Sequence, residues 1–203
     1  MGIFSGSKEK KELMLVFHIG SSSVEGTLFW AQNSGIPQII FSTRELIQIE
    51  KKVDVNRFFS LTIQALEIVT KKVRDAKLGT PSRIFCVLSS PWCVSETRII
   101  NLKKNTPFIF NEKLADELIQ KEIKLFETEH LVKYVNANNS IRTIELKNIQ
   151  TKLNGYETSK PLDQKAKELE MAIFISISGE QVLKKIEGVI EKYFSFEPIR
   201  FSS

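Results

Sequence analysis

Short apolar runs separated by turn residues open the chain. Met14–Ile19 and Val24–Ala31 flank the turn Gly20–Ser23, and the isoleucine-rich stretch Ile36–Thr43 follows a second turn signal at Asn33-Ser34-Gly35, with Pro37 near its start. Runs of this length bounded by Gly, Ser and Asn predict a three-strand meander. The period then changes. From Asp54, a helix-capping residue, Phe58, Phe59, Ile63, Leu66, Val69 and Val73 recur at helical spacing until Gly79 and Pro81 interrupt them. This predicts a long amphipathic helix.

Further on, Arg83–Ser89 is a continuous apolar strand ending at Ser90-Pro91, and the alternation in Glu96–Lys103 marks its expected neighbour. Asn111 caps a second helix with Leu114, Leu118, Ile119, Ile123 and Phe126 inward, and Phe108-Ile109-Phe110 before it is expected to serve as a hydrophobic staple. Residues 131–153 hold short alternating stretches around a polar loop at Asn136–Asn139, without an evident pairing. Asn154-Gly155-Tyr156 opens a turn-rich stretch to Lys165, and Leu169–Ile177 is a strand. Ser178-Gly179-Glu180-Gln181 is a capping box for a third helix with Leu183, Ile186, Ile190 and Phe194 inward, and Phe196–Phe201 begins one more strand. The order predicts an α/β (α+β) protein in which a small α+β unit is inserted into a larger α/β fold that is only half present.

Composition narrows the function classes. The net charge of +5 comes from scattered lysine pairs (Lys51–Lys52, Lys71–Lys72, Lys103–Lys104, Lys184–Lys185) that read as solvated faces, with no interleaved aromatics, so no nucleic-acid partner is expected. No apolar stretch is long enough to span a bilayer, and Leu13–Ile19 is too short for a secretory signal. A cytoplasmic protein is expected, touching a membrane at most peripherally, for example through Lys8-Glu9-Lys10-Lys11. The start Met1-Gly2 lacks the Ser or Thr of a myristoylation signal, having Gly6 in that place. Cys86 and Cys93 read as buried free thiols. His130 has no cysteine or aspartate at ligand spacing, the serines Ser89, Ser90 and Ser95 lack a nucleophile-elbow motif, and the charges of the second helix (among them Glu122, Glu127 and Glu129) read as a solvated face.

The remaining chemistry lies in Leu15–Gly26, LVFHIGSSSVEG. A strand followed by Gly20, Ser21, Ser22 and Ser23 offers a tight turn, close backbone approach, amides and hydroxyls, all suited to a phosphate. An ordinary serine-rich β-turn has the same residues. Trp92, between Pro91 and Cys93, would anchor a partner if exposed, or cover the core of the inserted unit if packed.

The opening, MGIFSGSKEKKELMLVFHIGSSSVEGTLFW, resembles the start of bacterial PilM proteins, and its strand-turn-strand resembles FtsA; both families are actin-like ATPases. LNGYETSKPLDQKAKELEMAIFIS is similar to the FtsA segment that completes the inserted subdomain, and IFCVLSSPWCVSETRII fits the insert's first strand pair. The resemblance implies a polar tail over 1–12, the first half of an actin-like subdomain over 13–80, an inserted strand-helix-strand-strand subdomain over 81–195 and a returning strand over 196–203. It implies a phosphate turn at Gly20–Ser23, with ATP and magnesium as cofactors in a complete protein. In the superfamily an aspartate before that turn helps hold hydrated magnesium; here His18 takes its place, and a neutral imidazole is a poor ligand for a hard cation. The implied function is an FtsA-type division scaffold, acting with little ATP hydrolysis through self-association and contact with a tubulin-like division protein. The PilM alternative binds the tail of a membrane pilus protein, and a further alternative is an active ATP-hydrolysing enzyme.

Overall fold

The computed structural model describes residues 11–32, 35–48, 54–134, 140–194 and 199–203, with the backbone alone for 131–134. Asn33-Ser34, Lys51–Lys52, the loop Asn136–Asn139, the start of the last expected strand at Phe196 and most of the N-terminal tail lie outside the described residues. The chain forms two compact units, one comprising residues up to Trp92 with Lys184–Ser202, the other Cys93–Leu183.

In the first unit β1 (Glu12–Ile19), β2 (Ser23–Ala31) and β3 (Gln38–Leu46) form the expected meander. Helix α1 (Val55–Asp75) then crosses over to β4 (Arg83–Leu88), which lies parallel to β1, and β9 (Arg200–Ser202) lies parallel to β4. The five-stranded order is β3-β2-β1-β4-β9. A parallel neighbour needs a crossover connection, and α1 supplies it. An antiparallel meander continued by parallel strands across a helix is a mixed α/β arrangement, so the α/β class expected from the sequence is present.

Alternation decides the core. Leu13, Leu15, Phe17 and Ile19 are buried while Met14, Val16 and His18 between them are half-buried, and Leu66, Val69 and Val73 of α1 cover the buried side. Gly26 lets the helix approach: a Cβ there would lie 2.7 Å from Val69 Cγ1 and 3.1 Å from Val73 Cγ2. Asp54 caps α1 as expected, its carboxylate accepting from Arg57 N at 2.7 Å. Strand β3 starts two residues later and ends three residues later than Ile36–Thr43, because its register follows β2 down to Ser23 and Pro37 stays outside the ladder.

The second unit carries a separate four-stranded sheet of order β5-β8-β6-β7, built from β5 (Val94–Phe110), β6 (Ile141–Leu153), β7 (Tyr156–Glu157) and β8 (Gln164–Gly179). Helix α2 (Glu112–Tyr134) brings Ile123 and Phe126 against Ile100, Phe110, Leu169, Met171, Ile173, Ile175 and Ile177 of the strands. Asn111 caps it, its Oδ1 accepting from Leu114 N at 3.0 Å. Asn154 and Gly155 both have positive φ, 51° and 84°, in the two-residue turn joining β6 and β7.

Several expectations change. The segment 94–103 does not neighbour β4: β5 pairs with β8, whereas β4 lies between β1 and β9. Residues 81–92 thus group with the first unit, and the second unit comprises 93–183. Periodicity specifies a strand but not its partner, and here the hydrogen-bonding demand of β1's free edge decides it. Phe108-Ile109-Phe110 is the end of β5, with Phe110 buried in the core. Helix α3 (Glu180–Glu191) begins two residues after Ser178, which is paired with Arg142 in the sheet. The charged face of α2 is partly an ion-pair seam: Arg98 of β5 reaches Glu122 at 2.8 Å and Glu129 at 3.0 Å. Hydrogen bonds to these carboxylates, Glu122 first, hold the guanidinium's pKa above its ordinary value.

Cys86 and Cys93 are free and buried, in the first and second unit respectively. Burial pushes both thiols up, reinforced at Cys86 by the charge of Glu187. A disulfide-exchange reagent at pH 8 is expected to modify neither in the native chain and both in denaturant. The linkage has the sign of a raised folded-state pKa: its contribution is full below the ordinary thiol value of about 8.5 and declines at higher pH. A native-state thiol titrating rapidly at pH 8 would contradict the burial.

Candidate functional site

Strands β1 and β4 run parallel, and their carboxyl ends lie side by side through the pairs His18↔Val87 and Ile19↔Leu88. In open α/β sheets this is the end at which ligands bind. Two turns leave from it. Gly20–Ser23 joins β1 to β2, and Ser89–Trp92 follows β4, with a cis Ser90–Pro91 peptide and Trp92 N donating to Ser89 O at 3.0 Å.

The two turns are tied together. Ser89 N donates to Ile19 O at 3.0 Å, His18 Nε2 shares a 2.9 Å hydrogen bond with Ser89 Oγ, and the indole Nε1 of Trp92 donates to Gly20 O at 3.0 Å. On its far side the first turn is held by Ile47 N, which donates to Ser22 O at 2.9 Å. Trp92 is only 5% exposed. Its ring stacks on Phe58 (centroids 5.2 Å) and lies against Phe59 (5.1 Å) at the start of α1. Exposure, the condition for an interaction anchor, is therefore not met, and the core that Trp92 covers is that of the first unit rather than the insert.

The turn divides its labour unevenly. Gly20 and Ser23 are buried, and Gly20 N is consumed by a 3.0 Å bond to Ser23 O. Ser21 and Ser22 are exposed. Of the four residues expected to cradle a phosphate, these two are exposed. Gly20 has no positive φ, and a Cβ there would meet Ser23 O at 3.4 Å and His18 Cε1 at 3.5 Å, ordinary contacts. The backbone of this turn does not itself require glycine.

The donor set does not suit magnesium. His18 is half-buried and engaged with Ser89, and Glu25, its neighbour across the β1–β2 pair, is ion-paired to Arg44 at 3.2 Å. Among the described residues no group of three or more His, Cys, Asp or Glu side chains converges as a metal site would require. The arrangement leaves two serines exposed on a turn held by the indole of Trp92 and by Ile47 N.

Sequence reasoning found the turn and His18 but missed Ser89 and Ile47. Ser89 was legible as the last residue of an apolar strand, but nothing in one sequence says that this strand lies beside β1. Among the described residues no helix is long and apolar enough to cross a membrane.

No protein-family model and no curated protein sequence matches the chain. Among solved structures it is similar to the PPX-GPPA enzyme of Aquifex aeolicus, at 23% identity over 39% of this chain and 27% of that one, with a TM-score of 0.30. It is also similar to a PilM–PilN type IV pilus biogenesis complex, at 9% identity over 88% of this chain and 44% of that one, TM-score 0.40. A third likeness is gluconate kinase from Lactobacillus acidophilus, at 11% identity over 62% of this chain and 24% of that one, TM-score 0.30. The chain thus spans less than half the length of each, and its α/β assignment stands on its own strand order.

Proposed function

We propose that this chain is part of an actin-like scaffold that works by contact with other proteins, at the cytoplasmic face of a membrane, and not by efficient phosphoryl transfer. The observation that carries this reading is the His18–Ser89 hydrogen bond of 2.9 Å. The resemblance implies a free carboxylate at this position for magnesium chemistry, and the residue there is an engaged imidazole.

Two settings follow from the resemblance: docking to the cytoplasmic tail of a membrane pilus protein, as in PilM, and contact with a tubulin-like division protein, as in FtsA. The similarity of the Asn154-Gly155-Tyr156 segment to FtsA favours division, but Asn154 and Gly155 serve the turn between β6 and β7, and Asn154 ties that turn to β8. Asn154 Oδ1 accepts from Lys167 N at 2.8 Å and Glu168 N at 3.2 Å. Asn154 and Gly155 therefore speak for the fold and not for a partner, and the PilM-like opening is the better guide. The pilus setting is the one we favour.

The exposed pair Ser21 and Ser22 supports a second reading, a nucleotide site with residual activity. Steady-state turnover of ATP with magnesium separates the two. The scaffold reading expects a rate at the uncatalysed background, unchanged by His18→Ala. Turnover above background that His18→Ala abolishes would overturn it. Binding of the purified chain to a synthetic pilus-protein tail, against a tubulin-like division protein in parallel, then decides the setting.

A further inference from the structure

Strand β3 is an edge: it pairs with β2 on one side, and among the described residues nothing pairs with the other. The free N–H and C=O groups of an edge template further strands, and charged side chains are one of the guards that proteins place there. Here the charged guards are engaged inside the chain. Arg44 pairs with Glu25 at 3.2 Å, and Glu45 accepts from Lys72 at 2.8 Å. Meanwhile Ile39 is 65% and Leu46 66% exposed on the same strand.

The faces of β3 follow from its register. Gly26, which looks toward α1, is opposite Thr43, so Phe41, Thr43 and Glu45 share the α1 side, and Ser42, Arg44 and Leu46 the other. Between Leu28↔Phe41 and Phe29↔Ile39 the ladder skips Ile40 as a bulge, which moves Ile39 onto the side of Leu46. Counting the bulge as one position, the edge is self-complementary. An antiparallel copy turned about Thr43 sets Leu46 opposite Ile39 twice, Arg44 opposite Ser42, Glu45 opposite Phe41, and Thr43 opposite itself. Every partner lies on a matching face, both exposed apolar side chains are covered, and no like charges stand directly opposed.

We propose that β3 is a dimerisation edge, pairing with β3 of a second copy about a two-fold axis at Thr43 and joining two five-stranded sheets into one. The contact is isologous, so it closes at two copies rather than growing into a fibre. It stands on the edge geometry alone and is independent of the scaffold reading.

Sedimentation velocity of the full chain tests it. Reversible dimers are expected as concentration rises to about 100 µM. Ile39→Lys places a charge on the edge, and by symmetry each dimer carries it twice, so dissociation is expected to rise by roughly tenfold or more. The folded chain should survive, since Ile39 lies outside the core; an unchanged circular dichroism spectrum verifies this. Facing residues have Cα atoms about 4.5–5.5 Å apart, within disulfide reach. Thr43→Cys is therefore expected to yield a disulfide-linked dimer on mild oxidation and Gln38→Cys none, while the native thiols stay buried. A chain monomeric at about 100 µM, or a dimer indifferent to Ile39→Lys that does not cross-link through position 43, would overturn the proposal.

Discussion

Trp92→Ala is expected to destabilise the first unit by about 3–5 kcal/mol, the range for deleting a large buried aromatic. The side chain is 5% exposed and touches two phenylalanines of α1, so its removal forfeits dispersion and leaves a cavity that α1 and the turn fill only in part. It also strips Gly20 O of the indole donor. Trp92→Phe separates these contributions: it keeps an aromatic ring beside Phe58 and Phe59 but lacks the N–H, and should cost about 1–3 kcal/mol, the penalty of an unsatisfied buried acceptor. Chemical denaturation gives both numbers. Amide hydrogen exchange at Ser21 and Ser22 should accelerate in both variants, because the turn loses the same tether. Unchanged exchange in Trp92→Phe would show that the indole is packing alone and does not position the turn.

Phe126→Ala is expected to cost the second unit a similar amount, about 3–5 kcal/mol. Phe126 has no solvent exposure, the His130 ring packs edge-to-face with it (centroids 4.5 Å apart), and the Arg98 guanidinium lies 5.8 Å from its ring centroid. The contrast is Glu129→Gln in the neighbouring ion-pair seam. The Glu129 side chain is 50% exposed and Arg98 keeps Glu122, so solvent screening limits the loss to under about 1 kcal/mol. Equal losses for the two variants would mean that the seam, and not the apolar core, holds α2 to its sheet.

How much of this was legible in the sequence depended on whether the cause was local. The cap at Asp54 was readable because its partner, Arg57 N, lies three residues along the chain. The same holds for Asn111 and for the Asn154-Gly155 turn, where side-chain type and backbone conformation act within a few residues. The inward residues of α1 and α2 followed from helical spacing, since one face of an amphipathic helix must leave water whatever it packs against. Misreadings came where a partner had to be chosen. The resemblance groups β4 with the insert, whereas six of its residues pair with β1.

For the candidate site, the sequence by itself determined the strand, the Gly20–Ser23 turn and the presence of His18 in place of an acid. These are statements about residue type at consecutive positions. Only the tertiary structure decided what they can do. It placed Ser89, 71 residues away, against His18, and Trp92, 72 residues away, against Gly20. It spent the amide of Gly20 within the turn, left Ser21 and Ser22 facing solvent, and buried a tryptophan that the sequence allowed to be a surface anchor. It also left β3 at the edge of its sheet with two apolar side chains uncovered. The physical reason is the same throughout: capping and periodicity act over one or two turns of chain, whereas hydrogen-bond satisfaction and burial are settled by whichever distant strand completes the sheet.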